Sequence, residues 1–125
     1  MTDQISAESQ PRKGSDAAAL NKIDLYKSGM AKFSQQDFSG ALADFDQALI
    51  LDPEFADVHQ SVAHCYEKLG DFDQALSAAQ KAVEYNPDDF LAHTSLSMFY
   101  QRKGMIAEAE REKAIAAQLQ GQGPQ

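Results

Sequence analysis

Three histidines and one cysteine are the residues of this 125-residue chain best suited to hold a metal or attack a substrate. A zinc site needs three or four converging ligands. His59 and His64 stand five residues apart, and five residues turn a helical side chain through about 140°. The two cannot face one ion on one helix, and Cys65 is the single thiol. His59 and His93 are 34 residues apart, which suits two copies of one packing position better than two ligands. No metal and no cofactor is therefore expected. Cys65 stands at a position whose counterpart 34 residues earlier is Ala31, so it reads as a small buried packer, not a nucleophile. Asp88 and Asp89 directly precede an apolar stretch and read as a helix-start cap. Asp44 and Asp46 differ by about 200° around a helix and face apart, so neither pair makes a general acid/base dyad. The sequence contains no GxSxG, P-loop, HExxH or CxxC spacing. The expectation is a protein that is not an enzyme.

Composition narrows the partners. With 19 acidic against 11 basic side chains, the formal net charge is −8. Nucleic acid and anionic membranes call for clustered Lys and Arg, so neither is expected to bind. No run of five like charges occurs, and the acidity reads as solubility. A hydrophobic fraction of 43% is enough for a core. There is no apolar leader after Met1 and no stretch of about 18 apolar residues. With one cysteine no intrachain disulfide forms. A cytoplasmic setting without membrane insertion is the resulting expectation.

The elements that position these residues follow from a 34-residue spacing. Ala41 recurs as Ala75 and Ala109, Ala48 as Ala82 and Ala116, Pro53 as Pro87, and Gly70 as Gly104. A fixed period of this size means one supersecondary unit copied and stacked. Breakers delimit six helices, at about 16–35, 39–51, 55–69, 73–85, 89–103 and 107–120. Asp52-Pro53 and Asn86-Pro87 stop two of them, because the residue before proline is pushed out of the α region. Gly70 and Gly104 suit left-handed positions just past two more. Ser15 or Asp16 is the expected cap of the first helix. Residues 1–14 and 121–125 lack apolar periodicity and are expected as tails.

On these residues the chain resembles the tetratricopeptide repeat family, whose unit is a 34-residue helix–turn–helix. The match runs in register through repeats at 22–55, 56–89 and 90–121. The first has Leu25, Gly29, Ala41, Phe45, Ala48 and Pro53; the second has His59, Ala63, Tyr66, Ala75, Ala82 and Pro87. The third has His93, Leu96, Ser97, Tyr100, Ala109 and Ala116. The resemblance implies an all-α fold, a right-handed α-solenoid of three repeats, residues 15–120. Departures sit at the ends. Ser28 and Lys32 stand where a Leu and an aromatic are usual, and Lys113 where an aromatic is usual. Polar outer faces suit terminal repeats, and the last helix is expected to cap itself.

The resemblance also implies a role. In this family the first helix of each pair lines a concave groove. The matching positions are Ile23, Tyr26, Met30, Phe33 and Ser34, then Asp57, Gln60, His64, Glu67 and Lys68, then Leu91, Thr94, Met98, Gln101 and Arg102. Ile23, Tyr26, Met30 and Phe33 also form one stripe by their own spacing; the competing reading is that this stripe is core. The family's clamp for terminal carboxylates needs Lys, Asn and Arg where this chain has Tyr26, Met30, Ser61, Leu91 and Ser95. A site without cations does not hold a carboxylate tightly. The implied function is a non-catalytic adaptor or scaffold for a peptide or protein, with an affinity of about −8 kcal/mol. The alternatives are a self-assembling structural element, or a chaperone for an exported bacterial protein. A monomer or weak homo-oligomer fits.

Overall fold

The structure is a computed structural model in which residues 21–121 are described. Six helices follow one another: α1 Lys22–Ser34, α2 Phe38–Leu51, α3 Ala56–Leu69, α4 Phe72–Tyr85, α5 Phe90–Arg102 and α6 Ile106–Gly121. Helices adjacent in sequence pack against each other, and α1 also touches α3. The result is an all-α solenoid of three helix–turn–helix pairs, with no strand among the described residues.

Local chemistry sets the boundaries. The Asn21 side chain accepts from the Asp24 N–H at 2.9 Å, on an extended backbone at φ −79° and ψ 168°. That is an N-cap. The first described helix therefore starts at Lys22, and the helix expected over 16–35 is interrupted at Asn21, which lies outside it. The expected cap at Ser15 or Asp16 and the tail at 1–14 lie outside the described residues. At the other end Gly121 is the last residue of α6, so it belongs to the helix and not to the tail. Asp37 and Asp71 cap α2 and α4 by accepting from Gly40 N and Gln74 N. Asp89 caps α5 by accepting from Leu91 N at 3.0 Å, as its position before the apolar stretch suggests.

The turn inside each pair repeats closely. The N–H groups of Asp37, Asp71 and Met105 each reach back to the carbonyls of Lys32, Tyr66 and Tyr100 at 2.9 Å. This wide return bond closes the helix end and needs one left-handed residue. Gly70 and Gly104 supply it at φ 83° and 77°, and Gln36 occupies the same place at φ 66°.

The core lies between the pairs. Ala41, Ala48, Ala75, Ala82, Ala109 and Ala116 are all buried, and small side chains let helix axes approach to about 8 Å. Leu25, Val58, Val62, Leu96 and Phe99 are buried on the first helices. Phe45 is fully buried, with its ring against Gly29. His59 and His93 are buried as well, at 7% and 4% exposure. Each ring turns Nε2 toward the carbonyl of a proline six residues earlier, Pro53 or Pro87, at 2.7 Å. Those carbonyls can only accept, so Nε2 carries the proton. The two histidines thereby fasten the turns between successive pairs.

The ends are polar. At the start of the array Asp44 accepts from the Ser28 hydroxyl at 2.5 Å and pairs with Lys32 at 3.0 Å. Glu110, Lys113 and Ala117 on α6 are exposed, in keeping with the polar outer face expected of a last repeat. Among the described residues no helix is long and apolar enough to cross a membrane.

Candidate functional groove

The helix α1 presents two faces with different fates. Leu25 and Gly29 point inward and are buried. Ile23 and Met30 are 44% and 38% exposed, while Tyr26 and Phe33 lie half buried against the edge of the core. The Ile23 stripe is thus the outer wall of the core, not its centre. Tyr26 packs between Phe45 and Phe55, at ring distances of 6.2 and 5.4 Å. Phe33 meets Phe38 edge to face at 5.2 Å.

Two adjoining cavities open on the face formed by the first helices. One, of about 240 Å³, is lined by Met30, Phe33, Ser61 and His64. The other, of about 350 Å³, is lined by Tyr26, Met30, Asp57, Gln60, Ser61, His64, Asp89 and Leu91. They share Met30, Ser61 and His64. The Ser61 hydroxyl donates weakly to the Met30 sulfur at 3.4 Å, holding the thioether across the boundary. Leu91 is 56% exposed at the rim. These residues lie on α1, α3 and α5, which is how a 34-residue period gathers side chains from distant parts of the chain.

Thr94, Met98 and Gln101 do not join that space. They line a separate cavity of about 230 Å³ with Ser97 and Lys113. The reason is positional: no helix after α6 packs on α5 among the described residues, so this side of α5 looks out past the third pair. Arg102 and Glu67 lie between these regions, paired at 3.3 Å. The Arg102 guanidinium also covers the Phe72 ring at 5.0 Å and lines an edge cleft of about 480 Å³ with Leu69, Asp73 and Lys103. Lys103 is itself paired with Asp73. Arg102 and Lys103 each stand against a carboxylate, whereas Lys113 at the outer cavity has no ion-pair partner among the described residues.

His64 carries the most suggestive geometry. Its Nδ1 lies 3.1 Å from Glu67 Oε1, and its Nε2 lies 3.5 Å from the Ser95 hydroxyl. With Nδ1–H donating to Glu67, Nε2 is left to accept from Ser95. The order Ser–His–Glu is that of an acyl-transfer relay. Such a relay also needs N–H donors aimed at a developing oxyanion. Ser95 sits in the middle of α5, where backbone N–H groups are spent on carbonyls four residues back. The His64 ring packs on Phe99 at 5.9 Å, so the network reads as a positioned hydrogen-bonding wall.

Cys65 points the other way and is fully buried. Burial, aided by the negative charge of Asp46, pushes its thiol up to about 11. It stays protonated at neutral pH and is a poor nucleophile.

Sequence reasoning missed Asp89, Ser97 and Lys113 as lining residues, and Ser61 and Ser95 entered it only as positions of a carboxylate clamp, although Ser61 lines both adjoining cavities and Ser95 meets His64. Asp89 caps α5 and is also among the residues lining the larger cavity. Ser61 and Ser95 stand one helical turn from Asp57 and Leu91, and that i, i+4 spacing was the available signal.

A sequence profile described as tetratricopeptide repeat matches residues 32–98. The wheat (Triticum aestivum) Hsp70-Hsp90 organizing protein is 32% identical over 89 residues, which is 70% of this chain and 14% of that protein. Photosystem I assembly protein Ycf3 of Synechococcus sp. (strain CC9311) is 26% identical over 98 residues, 76% of this chain and 57% of that protein. The chain thus spans little more than half of the second relative and far less of the first. Among solved structures, MamA superposes with a TM-score of 0.77 at 24% identity, covering 82% of this chain and 60% of that one. The first TPR of Spaghetti (RPAP3), bound to HSP90 peptide SRMEEVD, superposes with a TM-score of 0.77 at 19% identity, covering 82% of each chain. At those identities the likeness speaks for the fold.

Proposed function

The chain belongs to the tetratricopeptide repeat family, and from that membership we propose that it is a non-catalytic adaptor whose groove receives a peptide or a segment of a partner protein. The observation that carries this reading is the pair of adjoining cavities walled by Met30, Phe33 and Leu91, apolar side chains that the core leaves exposed or only half covers. Exposed apolar area of this kind marks interaction sites. Met30 adapts its shape to different occupants, and Gln60 and His64 offer hydrogen bonds. Ile23, Tyr26, Glu67, Thr94, Met98, Gln101 and Arg102 complete the proposed contact set. Thr94, Met98 and Gln101 form an outer subsite, separate from the paired cavities.

The RPAP3 domain was solved with an HSP90 peptide, SRMEEVD, that ends in two glutamates, a valine and an aspartate. Here Tyr26, Met30, Ser61, Leu91 and Ser95 stand where the family's carboxylate clamp places its polar and cationic groups. The occupant of this groove is therefore of another kind than a chaperone tail. The place of Ser95 within α5, where the backbone N–H groups around it bond along the helix, supports a binding role over a catalytic one. The acidic composition supports a protein partner over nucleic acid; a cytoplasmic setting and a monomer or weak homo-oligomer complete the proposal.

The test is affinity capture from the native host with the full chain, then with Met30→Glu and Leu91→Glu. Both side chains are exposed, so the variants should keep the wild-type helical circular dichroism. Each buried apolar contact contributes about 1.5–3 kcal/mol before ordering costs. Recovery of the captured partner should therefore fall at least tenfold. Unchanged recovery by folded variants would remove the groove assignment.

A further inference from the structure

The charge around the paired cavities is one-sided. Asp57 and Asp89 both line the larger cavity, and no Lys or Arg does. Asp57 is exposed and Asp89 half-buried, and neither has an ion-pair partner among the described residues. Asp89 receives one backbone N–H, from Leu91, which leaves its charge intact. Arg102, at the end of α5, is paired with Glu67. Glu67 also faces His64. Beside this acidic mouth the smaller cavity is walled almost wholly by apolar atoms of Met30, Phe33 and their neighbours. The apolar cup and the cavity lined by the two aspartates therefore adjoin, sharing Met30, Ser61 and His64 as a common wall.

Resting on the groove reading above, we propose that the occupant is an extended peptide carrying a Lys or Arg close to a large apolar side chain. The apolar side chain enters the Met30–Phe33 cup, and the cation lies against Asp57 and Asp89. An acidic peptide is disfavoured because like charges placed together are repelled. A neutral apolar peptide leaves both carboxylates facing an uncharged neighbour and binds more weakly. Exposed ion pairs are modest individually, so the two together should confer about a tenfold preference, falling as salt shortens the screening length.

The experiment selects nonapeptides from a random phage-displayed library on the immobilised full chain. A selected peptide is then titrated by fluorescence anisotropy against wild type, Asp57→Asn and the double variant Asp57→Asn/Asp89→Asn. Asparagine remains a good N-cap, and Asp57→Asn alone leaves the α5 cap untouched. The expected result is enrichment of Lys or Arg within two residues of Met, Leu, Ile or Phe. Binding should weaken about tenfold in the double variant and less in the single one, the gap closing at 0.5 M salt. Enrichment of acidic or uncharged peptides, or equal binding by the double variant, overturns the basic-peptide assignment and leaves the groove standing. If no peptide is enriched, or if enriched peptides bind Met30→Glu as well as wild type, the groove reading and this inference both fall.

Discussion

At the residue scale the groove depends on close contacts beneath it, and Gly29 is the tightest. A Cβ added there would lie 2.4 Å from Phe45 Cε1 and 2.6 Å from Cδ1. Phe45 is fully buried, so its ring has no free space to turn into. Alanine is the better helix former by about 1 kcal/mol, but overpacking a filled core costs about 1–3 kcal/mol. Gly29→Ala should therefore be net destabilising, by up to about 2 kcal/mol in urea titrations. A stability equal to or above wild type would show that Phe45 can move. The need for a small residue here was legible in the 34-residue alignment of Gly29, Ala63 and Ser97. The reason why repeat 1 takes glycine was not legible, because it depends on which way the Phe45 ring leans. The two buried histidines show the same limit. Their bulk could be read from the period, but the bond to a proline carbonyl six residues back is a matter of ring orientation.

At the element scale the punctuation carried most of the information. Gly70 and Gly104 are left-handed, as their places past α3 and α5 required. Proline and its preceding residue close α2 and α4. The first helix was the error, since apolar and helix-favouring residues continue before Asn21. A short polar residue that can cap is also tolerated inside a helix, so composition alone did not separate the two uses. The third member of the left-handed set, Gln36, was also hidden, because a glutamine gives no sign of a positive φ. Its position makes a prediction. A non-glycine residue in this region costs about 1–2 kcal/mol, while glycine's greater freedom when unfolded takes back about 0.5–1 kcal/mol. Gln36→Gly should raise stability by about 0.5–1 kcal/mol, with the helical circular dichroism unchanged. Thermal and urea unfolding read the sign directly, and a loss of stability would mean that the Gln36 side chain contributes more than its backbone strain removes.

Across the whole molecule, a stacked array is stabilised pair by pair, each repeat leaning on its neighbour, so a local weakness shows as fraying of one end. The first repeat carries two of the carboxylates whose charge the fold favours. Burial acts to raise the Asp44 pKa, but the Ser28 hydroxyl and the Lys32 ammonium outweigh it and hold the carboxyl below its ordinary value. Asp52 is held low chiefly by its hydrogen bond from Lys22, at 2.6 Å. Lys22 in turn covers the Phe55 ring at 5.3 Å, so this contact ties the start of α1 to the turn before α3. A carboxyl whose folded pKa is depressed binds fewer protons folded than unfolded. Its stabilisation is present above the ordinary value of 3.8 and is lost as pH falls through the lower folded value. Both groups sit on the first pair, so acid should loosen α1 and α2 before α3 to α6. Hydrogen exchange followed from pH 5 to pH 2 should show amide protection falling first in 22–51, with the groove wall at Met30 and Phe33 opening with it. Asp44→Asn should remove part of that acid sensitivity, at a neutral-pH cost of up to about 1 kcal/mol. Simultaneous loss of protection in all six helices would show that the pairs are coupled too tightly for one end to open alone. In that case the groove could not be disassembled from its first repeat, and acid would release a bound peptide only by unfolding the entire array.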